Sequence, residues 1–284
     1  MLSCPAYIIW NANPEIFAIG SVSIRYYSLF YFFGLMSAYA SIAWMFTREK
    51  ISMDVFFKLY FFLLFGILFG ARIIHCVFYE PQYYLAHPLE ILLPFRIGGE
   101  KLIWTGYRGL ASHGGVVGII TALILFKWRT GHGLIKMLDF IAIPVPWAAF
   151  WIRLGNLMSS EIIGKPTDAP WAFVFSSVDS LPRHPAQLYE AIMYLIIYII
   201  TMWLYIKYRT RLHTGFFLGF CLVSIFTFRF FIEFIKENQI RAENIMSINI
   251  GQWLSIPCIL LGLFFMFVYN KAGTKNDLTT GYLS

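Results

Sequence analysis

"SIFTFRFFIEFIKE", residues 224–237, places Arg229 and Glu233 one helical turn apart inside an otherwise apolar stretch. In water such a pair is ordinary, because residues four apart share a helix face and opposite charges there attract. The flanking phenylalanines and isoleucines set a different stage. Burying a charge in hydrocarbon costs about 2.5–17 kcal/mol, depending on how freely the side chain reaches water. A chain that keeps both residues in such surroundings reads as a membrane protein with something polar among its helices.

Composition points the same way. Of 284 residues, 59% are hydrophobic, 19% aromatic and 13% charged, well outside the mix of a soluble domain. The net charge of +7 does not mark a nucleic-acid binder, because the lysines and arginines punctuate apolar runs instead of gathering on one amphipathic surface. Cys4, Cys76, Cys221 and Cys258 form no CxxC and have no histidine pair close by, so neither a disulfide frame nor a zinc site is expected. "MLSC" at the start superficially resembles a lipoprotein cleavage box, but no basic segment or apolar run precedes it, and no removable signal peptide is expected.

A spanning helix needs about 20 mostly apolar residues. Seven runs qualify: 27–46, 55–79, 109–128, 134–155, 187–206, 215–236 and 251–270. The expected fold class is therefore all-α, a polytopic membrane bundle of seven transmembrane helices forming a single integral membrane domain over 1–284. Short connections at 47–54, 127–136 and 207–214, with the tail 271–284, carry Arg48, Lys50, Lys127, Arg129, Lys136, Lys207, Arg209, Arg211, Lys271 and Lys275. By the positive-inside rule that face is cytoplasmic, which puts the N-terminus outside and the C-terminus inside. The longer connection 80–108, broken by Pro and Gly, reads as an arm lying along the outer interface. Residues 156–186, turn-rich with a strand-like "WAFVF", read as a small outer cap.

This topology makes a test of the polar residues. Spans entering from outside begin with Arg25, Tyr26 and Tyr27, with Arg108 and His113, and with His184, Gln187, Tyr189 and Glu190. Spans arriving there end with Arg72, His75 and Glu80, with Arg153, Asn156 and Glu161, and with Arg229, Glu233 and Lys236. Six helices lean to one side, which implies a polar, arginine-rich cavity in the outer half of the bilayer. Asp139, near the inner end of the fourth span, is the exception, and the sequence assigns it no role.

Arg229 and Glu233 alone are readable as a self-neutralising pair that stiffens its helix. Arg153 changes the balance, because its nearest acid in the sequence, Glu161, sits in the cap. Two arginines set against one intramembrane carboxylate leave an anion site unfilled. A guanidinium forks onto phosphate oxygens, so a lipid phosphate is the natural ligand. In "GLASHGGVVG", 109–118, Gly114 and Gly115 permit close approach of another helix or a lipid, and His113 is either a satisfied interfacial histidine or a neutral imidazole able to accept a proton. In "RLGNLMSSEIIGKP", 153–166, Asn156 and Glu161 are either a helix end and a solvated acid or the cavity roof, with Gly164 giving the cap backbone close access. "RHPAQLYE", 183–190, has Pro185 in a first helical turn, and its polar residues read mainly as hydrogen bonds between cap and bundle.

These stretches together resemble the prolipoprotein diacylglyceryl transferase family over nearly the whole chain. The family pattern Gly-Arg-x-Gly-Asn-Phe-x-Asn-x-Glu-x-x-Gly appears as "IRLGNLMSSEIIG", which keeps Arg153, Gly155, Asn156, Glu161 and Gly164 and departs at Ile152, Leu157 and Ser159. The His-Gly-Gly box is "SHGGVVG", the later Arg-Phe-x-x-Glu-Phe is "RFFIEF", and "RHPAQLYE" also matches. "SIRYYSLFY" resembles the family's segment with an essential tyrosine, aligned here to Tyr27. Arg25 stands where a histidine is frequent, and Ile225 where a tyrosine often precedes the second arginine.

The resemblance implies a bacterial inner-membrane enzyme, multi-pass, with its active site toward the periplasmic leaflet. It would move the diacylglyceryl group of phosphatidylglycerol to the lipobox cysteine of a preprolipoprotein, forming a thioether and releasing glycerol phosphate. Its partners are then phosphatidylglycerol, the lipobox segment and membrane lipids, with no nucleic acid. No cofactor and no metal are expected, phosphatidylglycerol being a substrate. The roles that follow are Arg153 and Arg229 on the departing phosphate, Glu233 orienting Arg229, and Asn156 and Glu161 on the glycerol head group. His113 or Tyr27 assists thiol deprotonation, His113 being preferred because an imidazole with pKa ~6.5 is the better proton acceptor near neutrality. Gly114, Gly115, Gly164 and His184 complete the substrate-binding set. The rival is a membrane transporter that binds a lipid or anion as cargo, which would place its site near the midplane with access from both sides.

Overall fold

The computed structural model describes residues 7–19, 22–93, 95–98, 101–104, 112–237 and 248–269. In chain order these form strands β1 (Ile8–Trp10), β2 (Glu15–Ile19) and β3 (Val22–Arg25), then helices α1 (Tyr26–Arg48), α2 (Met53–Phe78), α3 (Pro81–Ala86) and α4 (Leu89–Leu92). Strands β4 (Phe95–Gly98) and β5 (Lys101–Trp104) precede α5 (Ser112–Thr130), α6 (Leu134–Ala142) and α7 (Val145–Met158). Strands β6 (Phe173–Phe175) and β7 (Pro182–Arg183) lead into α8 (Ala186–Tyr208), α9 (Phe216–Ile232) and α10 (Ile250–Phe267). The protein is a polytopic helical membrane protein.

All seven apolar runs contain helix. Five segments, Tyr26–Arg48, Met53–Phe78, Leu134–Met158, Ala186–Tyr208 and Ile250–Phe267, are long and apolar enough to cross a bilayer, while α9 is apolar but only 17 residues long. The fourth run is broken between α6 and α7 at Pro144, which caps α7 and is followed by Pro146 in its first turn. A proline ring lacks the N–H that a continuous helix needs, yet fits the first turn of a new one.

The described residues fall into two compact units, one drawn from Met1–Met45 and Ile135–Lys275, the other from Phe46–Leu134. In the first, α1 lies on α7 and α8. Phe30 and Phe33 pack on Trp151, and Ser41 Oγ is 3.2 Å from the Tyr198 hydroxyl. The 156–186 segment joins β1 from the N-terminal region in a three-stranded sheet of order β1-β6-β7. Leu157, Ile163, Phe173 and Phe175 form its buried core, flanked by Trp10 and Leu188, and Trp10 Nε1 donates to the Leu157 carbonyl at 3.0 Å.

Asp139 has a use in this unit. Its carboxylate accepts from Gly215 N at 2.6 Å and Leu218 N at 2.8 Å, capping α9 from a different helix. Gly215, at φ 94°, takes a left-handed conformation that costs a glycine little. The capping answers an obligatory demand, because the first N–H groups of a helix have no partner within it.

In the second unit α2 and α5 pack through glycines: a Cβ added at Gly66 would lie 2.6 Å from the Gly118 carbonyl oxygen, and one at Gly114 would lie 2.7 Å from Ile74 Cβ. This is the small-residue seam by which membrane helices gain van der Waals contact. Arg72 is buried and donates to the carbonyls of Glu90 at 2.7 Å and Ile91 at 3.2 Å. It ties the α3–α4 segment to the end of α2.

Candidate functional site

Three helix ends of the first unit carry the site. On α7, Arg153 and Asn156 are three residues apart and share a face. On α8, Gln187, Glu190 and Tyr194 line one stripe at helical spacing, and all three are buried. Arg229 lies in the last turn of α9, Glu233 caps it and Lys236 follows one turn later.

Their charges alternate. Arg153 Nε stands 3.0 Å from Glu190 Oε2, and Lys236 Nζ is 3.9 Å from Glu190 Oε1 and 3.0 Å from Glu233 Oε1. Arg229 Nε is 4.0 Å from that same Glu233 oxygen. Among the described residues, the order Arg153, Glu190, Lys236, Glu233, Arg229 sets three cations against two carboxylates. The two arginines stand at the two ends of this one series.

This corrects the expectation about Arg153 in one respect. Its acid partner is Glu190, which the sequence reading treated as a cap-to-bundle hydrogen-bonding residue. Two helices supply the pair, so no spacing within either one reveals it. Glu190 has no exposed side-chain surface, and neither of its carboxylate oxygens has an aligned hydrogen-bond donor among the described residues. The 3.0 Å contact is an ion pair of favourable distance and poor direction.

Arg229 is the open end of the series. Its side chain is 37% exposed against 13% for Arg153 and 5% for Lys236, and its one ionic contact among the described residues lies at the 4.0 Å limit. The i,i+4 pair read from the sequence is therefore loose. Glu233 is engaged elsewhere, accepting Lys236 Nζ and, at 2.9 Å, Asn249 Nδ2.

Asn156 joins Arg153 to the cap. It accepts from Arg153 Nη1 at 3.2 Å and donates to Glu161 Oε2 at 3.3 Å. Glu161 is exposed, and its carbonyl accepts Gln187 Nε2 at 2.6 Å. Ser160 at φ 53° and Ile162 at φ 57° flank it. Left-handed backbone costs a side-chain-bearing residue about 1–3 kcal/mol and collects at functional sites. Here two such residues set the direction of the glutamate between them.

Tyr27, the second residue of α1, lies beside this segment. A Cβ added at Gly155 would lie 3.0 Å from Tyr27 Cδ2, so the glycine next to Asn156 is the gap into which the tyrosine fits. Gly164 is enclosed: its N–H donates to the His184 carbonyl at 3.0 Å, and it bridges to Lys236 as an isolated strand pair. The close backbone approach expected there serves contact between the cap and the end of α9. His184 is half-buried, with Nδ1 3.3 Å from the Tyr189 hydroxyl, and burial lowers its pKa below the ordinary imidazole value.

His113 occupies the first turn of α5 in the second unit, its side chain lying outside the described residues, as does Arg108. Gly114 and Gly115 are on the same turn, Gly114 against α2. Arg25 pairs instead with Glu15 across the β2–β3 hairpin at 3.7 Å, largely exposed. Sequence reasoning missed Glu190 as Arg153's counter-ion, and it placed Lys236 among the cavity's polar residues without giving it a role. The available signal was that both polar residues interrupt apolar runs.

Fold and site together define a multi-pass membrane protein with a cationic cluster built where three of its helices end. The sequence pattern of the family described as prolipoprotein diacylglyceryl transferase matches residues 14–268. The chain is 52% identical over 267 residues to the phosphatidylglycerol–prolipoprotein diacylglyceryl transferase of Bacteroides fragilis, covering 93% of this chain and 96% of that one. Its similarity to the proteins of the same name from Chloroherpeton thalassium (42%, 92% and 94%) and Tolumonas auensis (37%, 93% and 98%) is also nearly end to end. The chain belongs to the prolipoprotein diacylglyceryl transferase family.

Proposed function

We propose that this chain performs the reaction for which its family is named, moving the diacylglyceryl group of phosphatidylglycerol onto a lipobox cysteine thiol of a prolipoprotein. The sulfur–carbon bond forms at an sp3 glyceryl carbon, the carbon–oxygen bond to phosphate breaks, the thiol proton goes to a base, and glycerol phosphate leaves as the anion. The reaction balances without a cofactor or metal. A thiol with pKa ~8.5 must become thiolate to attack. No carbonyl oxygen develops charge, so the electrostatic demand falls on the departing phosphate.

The open, half-exposed Arg229, at the end of a series that sets three cations against two carboxylates among the described residues, is the observation that supports this reading. Arg153 and Arg229 take the phosphate charge. Asn156 and Glu161, hydrogen-bonded to each other, hold the glycerol head group, and Tyr27 packs beside them on Gly155. His113 or Tyr27 assists thiol deprotonation, and Gly114, Gly115, Gly164 and His184 shape the surroundings of the substrates. The segment 80–108 is assigned as an arm at the outer interface and 156–186 as a periplasmic cap over an otherwise single membrane domain. The protein is assigned to the bacterial inner membrane, N-terminus periplasmic and C-terminus cytoplasmic, with the cluster toward the periplasmic leaflet.

Incubating the purified protein with phosphatidylglycerol and a lipobox peptide tests the reading. A mass gain of one diacylglyceryl group on the cysteine is expected. Lipid retained unchanged, with no adduct, would favour a binding or transport protein instead.

A further inference from the structure

We infer that Lys236 is a positioning residue that holds Glu233 off Arg229 and so keeps the Arg229 guanidinium available to an anion. The inference deepens the phosphate role given to Arg229 and rests on it.

An arginine and a glutamate four residues apart on a helix should close on each other, most of all where water is scarce. Here they do not, and three observations around Glu233 explain why. Lys236 Nζ binds Oε1 at 3.0 Å from within a buried setting. Asn249 Nδ2 binds Oε2 at 2.9 Å. Asn249 is itself locked as the N-cap of α10 by a reciprocal capping box with Gln252, so Glu233 sits at the positive end of that helix. The fit is close on the third side as well, since a Cβ at Gly251 would lie 2.8 Å from Glu233 Oε1.

Lys236 is the one charged residue among these partners of Glu233, and Glu190 anchors it from the opposite side at 3.9 Å. With the ammonium in place, Glu233 has a better partner than Arg229. Without it, Oε1 is left buried with Arg229 as the nearest cation among the described residues, at 4.0 Å. Glu233 then turns to Arg229, and a lipid phosphate must compete with an internal carboxylate.

Steady-state kinetics with phosphatidylglycerol and a lipobox peptide test the role. Lys236→Met is expected to raise KM for phosphatidylglycerol tenfold or more, with a smaller fall in kcat. Adding Glu233→Gln removes the competing charge, and the double variant is expected to bring KM at least fivefold below that of Lys236→Met. A smaller rise in the single variant, a fall in kcat exceeding the rise in KM, or a weaker rescue would overturn the inference. If Lys236→Met does not fold, as judged by melting in detergent, Lys236→Arg decides: KM within threefold of the parent is expected, and a larger rise would count against it. Arg229→Ala in the same assay separates the two layers. Near-normal kinetics there would remove the phosphate contact itself, whereas an impaired Arg229→Ala with no rescue of Lys236→Met would remove only the role of Lys236.

Discussion

Arg153 Nε stands 3.0 Å from Oε2 of Glu190, a carboxylate with no exposed surface, and the two residues come from different helices. Removing one member of such a pair leaves a buried charge uncompensated, which costs about 3–5 kcal/mol, whereas replacing both by apolar residues of similar size is often neutral. Glu190→Leu alone should therefore lower the melting temperature sharply. Arg153→Met/Glu190→Leu should recover most of that loss while remaining inactive, because the cation proposed to face the phosphate is gone. Melting curves in detergent, read beside the transfer assay, check both halves.

Asp139 supports α9 through two backbone N–H groups. Asp139→Ala strands both donors and is expected to cost about 2 kcal/mol. Arg229 lies fourteen residues along the helix from Gly215, roughly 20 Å, so kcat/KM of the folded fraction should stay within about threefold of the parent. Denaturant titration with kinetics on the same preparation measures both.

In the cap, the Asp179 carboxylate accepts from Nε and Nη2 of the Arg183 guanidinium, which holds the carboxyl below the usual carboxylate range. Arg183 Nη1 also donates to the Gly164 carbonyl at 3.2 Å and to Glu237 at 3.0 Å. A depressed folded-state pKa means that this stabilisation is fully present above the unfolded value of ~3.9 and is lost as pH falls through the folded value. Hydrogen exchange of residues 164–183 should rise in Asp179→Asn at neutral pH. The difference from the parent should shrink as the solution is acidified below about pH 4.

Much of this was readable from residue order alone. Apolar runs located helix in all seven places, because hydrocarbon tolerates little else. The contacts of Asn156 with Arg153 and Glu161 lie within one helix end and its turn, where spacing fixes geometry. Glu190 escaped as Arg153's counter-ion because its partners sit elsewhere in the fold, and which faces meet depends on helix rotation, which no single run encodes. The same reason hid Asp139, whose partners are backbone N–H groups 76 and 79 residues away. The break before α7 was legible in Pro144 and Pro146 but was passed over, since the whole run was apolar enough to read as one helix.

Arg229 carries the account. Its side chain is half-exposed and loosely paired, so truncating it should disturb folding little while removing charge stabilisation of the leaving phosphate. Losing one such donor typically costs about 2.7–4 kcal/mol of transition-state stabilisation, or 10²–10³ in rate. The decisive measurement is kcat/KM for phosphatidylglycerol in purified Arg229→Ala, compared with its melting temperature. A loss of 10²-fold or more at nearly unchanged stability is expected, with Arg229→Lys recovering only part of it because an ammonium lacks the planar fork. Transfer within about threefold of the parent would contradict the assignment of the leaving phosphate to this cluster.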